Sequence, residues 1–138
     1  MPVIDASVAV KFVVAEDGTA DAAALLRSSE PLIAPDWLLV EVGHALWKKA
    51  QSGFIAPAVA VEALEAMPKF FEELYPTPEL LQRAYTLAFD LNHWLYDCLY
   101  LELARQEDTV VVTADRKFKN AASGCGHGGR VVLLGAGA

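Results

Sequence analysis

Short runs of aliphatic and β-branched residues punctuate the chain: Val3-Ile4, Leu32-Ile33-Ala34, Val110-Val111-Val112-Thr113 and Val131-Val132-Leu133-Leu134. Each is apolar throughout rather than alternating with polar residues, which predicts strands covered on both faces. Asp5 closes the first run, Pro35 ends the second, and glycines frame the last. Between the runs, apolar positions recur at helical spacing from Thr19 to Ser29, Asp36 to Ser52, Pro57 to Met67, Pro78 to Asn92 and His93 to Glu107. Asp36 and Thr77 stand where helix N-caps are expected. The segment from Phe70 to Tyr75 fits either period, and the glycine-rich stretch Ser123 to Gly129 reads as a flexible connection into the last strand. Strands alternating with helices predict an α/β fold: a central parallel sheet of four or five strands, flanked by helices in three layers.

Length and composition narrow the picture. A chain of 138 residues, 54% hydrophobic and 21% charged, is expected to fold as a single domain over residues 1–138. The net charge of −7 removes any global attraction for nucleic acid or anionic lipid, so a polyanionic partner must be held locally. Lys11 and Glu16 interrupt the first long apolar stretch, which argues against a signal or membrane span. Cys98 and Cys125 are too few for a disulfide framework and suit a reducing compartment. A cytoplasmic protein is expected.

Four carboxylates stand out. Asp5 follows the first strand and Asp115 the third, at the carboxyl edge where open α/β sheets bind ligands, although either could serve only as a turn former or N-cap. Asp97 shares a helical face with Trp94, Cys98, Leu101 and Ala104, and burying a lone carboxylate demands a hydrogen-bond partner, a cation or a raised pKa. Glu41 lies at the margin of an apolar stripe with Trp37, Leu38 and Ala45, where pairing with Lys48 or Lys49 is the plain alternative. If the four converge, two unit charges about 4 Å apart repel by about 4 kcal/mol at an effective dielectric near 20. All-oxygen donors call for a hard divalent cation, Mg²⁺ or Mn²⁺.

Four stretches then carry a family resemblance. Val3-Ile4-Asp5-Ala6-Ser7-Val8-Ala9-Val10-Lys11 resembles the opening strand and first acidic position of the PIN-domain family, and Glu41 after Pro35-Asp36 fits the second. Tyr96-Asp97-Cys98-Leu99-Tyr100-Leu101-Glu102-Leu103-Ala104 resembles the third motif and Thr113-Ala114-Asp115-Arg116-Lys117-Phe118 the fourth. In order and separation the four are similar to the VapC-type toxin ribonucleases of toxin–antitoxin pairs. The resemblance implies a PIN-like sandwich, a Mg²⁺- or Mn²⁺-dependent endoribonuclease, a homodimer and inhibition by a cognate antitoxin protein.

Chemistry assigns expected roles within that frame. Asp5 and Asp97 are the principal metal ligands, Asp115 is a further or water-mediated ligand, and Glu41 is a ligand or orients the attacking water. Ser7 and Thr113 are expected to fix carboxylate orientation by hydrogen bonds. Lys11, Lys48, Lys49, Arg116, Lys117 and Lys119 flank the acidic positions and form the expected groove for the RNA backbone. His44 and His93 are read as structural or rim residues, and Cys125 with His127 lacks further zinc ligands. Trp37, Trp47 and Trp94 are read as core or dimer interface rather than base-stacking residues. The competing reading is a catalytically silent or receiver-like α/β interaction module with an acidic cation-binding pocket.

Overall fold

The computed structural model describes residues 1–136. Five parallel strands form one sheet in the order β3-β2-β1-β4-β5: β1 (Val3–Ile4), β2 (Ile33–Pro35), β3 (Glu73–Tyr75), β4 (Val111–Thr113) and β5 (Val131–Leu133). The helices among the described residues are α1 (Ala6–Ala9), α2 (Thr19–Arg27), α3 (Leu38–Gln51), α4 (Pro57–Ala66), α5 (Thr77–Leu91), α6 (Leu95–Gln106) and α7 (Arg116–Gly124). They flank the sheet, and the expected three-layer α/β arrangement is what the chain adopts.

β1, β2 and β4 are buried along their length, as apolar parallel strands between helical layers should be. β1 pairs with β2 only at Val3 and Ile33 before the chain turns into α1. That short register explains how Pro35 ends an internal strand. Ile33 donates to Pro2 on the β1 side, and two residues on the missing Pro35 N–H faces a neighbour that has already turned away. The ambiguous Phe70 to Tyr75 segment resolves into a 3-10 turn over Met67–Phe70 followed by β3, a half-exposed edge strand.

α6 crosses β2, β1 and β4 and is buried at every position from Cys98 to Ala104. A helix enclosed on all sides is a core element, and its leucines, Leu99, Leu101 and Leu103, each contribute about 1.5–3 kcal/mol relative to exposure. Glu102 is buried with them, its carboxylate accepting from Arg105 Nη1 at 3.3 Å and Gln106 Nε2 at 3.0 Å.

Two expectations about local structure are corrected. Asp36 and Thr77 do not cap their own helices: they cap each other's. Asp36 Oδ1 accepts from Thr77 N at 3.1 Å at the start of α5, and Thr77 Oγ1 accepts from Trp37 N at 3.0 Å at the start of α3. The glycine-rich connection is also more ordered than its composition implies, because α7 extends through Ser123 and Gly124 and a 3-10 turn covers Gly128–Arg130. Lys119 secures that return, its ammonium donating to the carbonyls of Gly128 at 2.6 Å and Val131 at 2.8 Å.

Candidate active site

In the strand order, the chain leaves β1 toward β2 and β3 on one side, and β4 and β5 fill the other. The switch point of this sheet lies between the carboxyl ends of β1 and β4, where ligands of open α/β sheets bind. Asp5 and Asp115 follow those two ends. Each also caps a helix: Asp5 Oδ1 accepts from Val8 N at 3.2 Å and Asp115 Oδ1 from Lys117 N at 2.9 Å. The plain alternative of capping is therefore true of both residues and coexists with their place in the site.

A small polar network joins the strand ends. Ser7 Oγ donates to Asp5 Oδ1 at 2.6 Å and accepts from Ala114 N at 2.9 Å, 107 positions away. Thr113 Oγ1 lies 3.4 Å from Ser7 Oγ and accepts from Asp115 N at 3.0 Å. The two hydroxyls thus tie Asp5 to the turn that presents Asp115.

Helices supply the remaining acids. Asp97 sits in the first turn of α6 and Glu41 in the first turn of α3. Asp5, Ser7, Glu41, Asp97, Tyr100 and Asp115 line one cleft of about 290 Å³, walled by Trp94 and Tyr96. The sequence-predicted acids are brought together. Asp97 accepts no bond from Tyr96 or Tyr100; its partner is His93, whose Nε2 lies 2.6 Å from Asp97 Oδ2. Glu41 does not pair with Lys48 or Lys49; the hydroxyl of buried Tyr100 donates to its Oε1 at 2.7 Å.

Electrostatics mark the cleft. Burial pushes the Asp5 carboxyl up to about 7, opposed by the hydroxyls of Ser7 and Thr113 and the Val8 amide and reinforced by Asp97. Burial also raises Glu41 against the pull of Tyr100, and raises Asp97 against the pull of His93. Among the described residues no lysine or arginine pairs with any of the four acids. Nor do three acidic, histidine or cysteine side chains come close enough to hold one ion by themselves. An oxygen-only donor set, partly buried and with no lysine or arginine to balance it, fits Mg²⁺ or Mn²⁺ held by one or two carboxylates and completed by water. Nearby Cys98 stays a thiol, since burial, with Asp97 beside it, pushes it up to about 12.

The basic residues divide. Arg116 and Lys117 are exposed beside Asp115. Lys11 and Lys49 both hold Glu16, at 3.1 and 2.7 Å, and although burial works the other way their pull leaves that carboxylate below its usual range. Lys119 is turned to backbone carbonyls, and Lys48 lies in the last turn of α3, remote along the helix from Glu41. Trp94 and Trp47 are not core: they are 78% and 56% exposed.

Comparison with known proteins places the fold. A family model described as PIN domain matches residues 3–124. The chain belongs to the PIN-domain family. The match takes in all four acids and stops before β5. The chain is 32% identical over 120 residues, covering 86% of it and 89% of the relative, to "Ribonuclease VapC1" of Mycobacterium tuberculosis, in strains CDC 1551 / Oshkosh and H37Rv alike. The VapC-type resemblance of its motifs is therefore borne out. Among solved structures it is similar to PAE2754 from Pyrobaculum aerophilum, with a TM-score of 0.69 and 24% identity over 96% of this chain and 89% of that one, a likeness of fold. No helix among the described residues is long and apolar enough to cross a membrane.

Proposed function

We propose that this PIN-domain protein is a Mg²⁺- or Mn²⁺-dependent endoribonuclease that hydrolyses RNA phosphodiester bonds, acting as the toxin of a type II toxin–antitoxin system. The observation that carries the reading is the convergence of Asp5, Glu41, Asp97 and Asp115 on one cleft at the switch point, with no lysine or arginine paired to any of them. The likeness to relatives named ribonucleases supports it.

Hydrolysis requires a water in line with the scissile phosphorus–oxygen bond and a proton for the departing alkoxide. When bound, the divalent ion supplies charge neutralisation at the phosphate and an acidified water. Asp5 and Asp97 are the residues proposed to hold it, Asp115 through water, with Glu41 as the group that orients the attacking water. Ser7 and Thr113 keep Asp5 aimed, and His93 does the same for Asp97. Arg116 and Lys117, exposed beside Asp115, are the basic groups best placed for the RNA backbone. A homodimer of single-domain chains in the cytoplasm, restrained by a cognate antitoxin protein, completes the proposal.

The test is cleavage of total cellular RNA by purified protein in Mg²⁺ or Mn²⁺, with excess EDTA and Asp97→Asn as controls. Cleavage lost in both controls is expected. Full cleavage in EDTA, or by Asp5→Asn, overturns the reading, and metal binding without cleavage favours a silent cation-binding module.

A further inference from the structure

We propose that Trp94 stacks on an unpaired base of the RNA held in the cleft. The inference rests on the ribonuclease reading and adds to it a side chain that contacts the RNA bases.

Trp94 occupies the N-cap position of α6, with extended backbone (φ −64°, ψ 137°) and no side-chain hydrogen bond to the first-turn amides. Ser, Thr, Asp or Asn is the residue type that stabilises such a position. A large apolar ring here forgoes the cap and is 78% exposed, so neither local structure nor packing accounts for it. Its surroundings do. Trp94 lines the same cleft as Asp5, Asp97 and Asp115.

The backbone that carries the indole is anchored on both sides. On one side His93 is pinned between Asp97, at 2.6 Å, and the Phe118 ring, stacked at a centroid distance of 5.6 Å. On the other, α6 begins at once. Tyr96, 49% exposed, extends the aromatic wall and leans on Trp37 at 5.3 Å. An acidic floor suited to a metal-bridged phosphate beside an exposed aromatic wall matches a strand whose bases are free to leave the stack. A base inside a duplex has no free face to offer.

The experiment uses the cleavage-inactive Asp97→Asn protein and its Trp94→Ala and Trp94→Phe derivatives. The probes are a fluorescein-labelled twelve-nucleotide single-stranded RNA of mixed sequence and the same strand annealed to its complement. Trp94→Ala is expected to weaken single-strand binding by about 5- to 150-fold, the range a lost base stack implies, with duplex binding unmoved and Tm preserved. Trp94→Phe should keep affinity within a few-fold but lose the quenching of indole fluorescence that RNA causes in the parent. Equal single-strand affinity for all three proteins overturns the proposal while leaving the ribonuclease reading intact, and so does Phe behaving as badly as Ala. A fall in sedimentation mass in Trp94→Ala with unchanged RNA affinity also overturns it, assigning the ring to a second copy. If the parent binds no RNA and the unsubstituted enzyme cuts none, both readings fall.

Discussion

The hydroxyl of Tyr100 donates to Glu41 Oε1 at 2.7 Å, joining α6 to α3 across 59 positions of sequence. Tyr100 is buried and its own hydroxyl is held well above the usual range, by burial and then by Glu41, so it remains a donor at every physiological pH. Removing that donor leaves a largely buried carboxylate without its hydrogen bond. Tyr100→Phe should therefore lower stability by about 1–3 kcal/mol, read by urea titration. RNA cleavage should fall further than the stability loss explains, because Glu41 is no longer held toward the cleft.

Asp5 gives a pH signature. In the unfolded chain its carboxyl titrates near 3.8, and in the fold at about 7. Below both values the proton is bound in both states and no penalty exists. Between them only the folded state keeps the proton, so stability of the metal-free protein falls as pH rises, by up to about 4 kcal/mol once pH passes 7. Asp5→Asn should flatten this dependence and raise the urea midpoint at pH 8 in EDTA, while abolishing cleavage. In the unsubstituted protein Mg²⁺ should stabilise more at pH 8 than at pH 5.

His93→Ala removes both the contact to Asp97 and the ring that backs the α6 terminus. Loss of such an orienting partner costs about 10- to 100-fold in metal affinity or activity. The Mg²⁺ concentration giving half-maximal cleavage should rise accordingly.

Substituting Arg116 and Lys117 together by Ala should flatten the slope of log K against log salt for single-stranded RNA by about 1.4, two phosphate contacts at about 0.7 each. Lys119→Ala should leave that slope unchanged and instead lower Tm, since its ammonium holds the carbonyls of Gly128 and Val131.

Four of the five strands and all four acids were legible from local pattern: apolar runs for the strands, Asp5 and Asp115 at the ends of two of them, and Glu41 and Asp97 set in or beside apolar helical stripes. What escaped depended on the third dimension. α7 is missed because it is short and mostly polar and runs into the glycine-rich stretch, although Phe118 and Ala122 turn inward together. β3 was ambiguous because an edge strand half in water carries neither pattern cleanly. A helix read from His93 puts Trp94 in an apolar stripe, but α6 begins two residues later, at Leu95. The Trp94 backbone is extended, and outside the helix that geometry no longer fixes direction. The exchanged caps of Asp36 and Thr77 lie 41 positions apart and follow no local rule. The partner of Glu41 is of the same kind, since Tyr100 reaches it only through the packing of α6 on the sheet, whereas His93 lies one turn from Asp97 and is local.

The central place of β1, made first and completed by β4, has a consequence for biosynthesis. Ser7 waits for the amide of Ala114, and Asp5 has no neighbour across the switch point until most of the polypeptide has left the ribosome. A half-translated chain carries Asp5 and Glu41 but neither Asp97 nor Asp115, so the acidic cleft is complete only when translation is nearly finished.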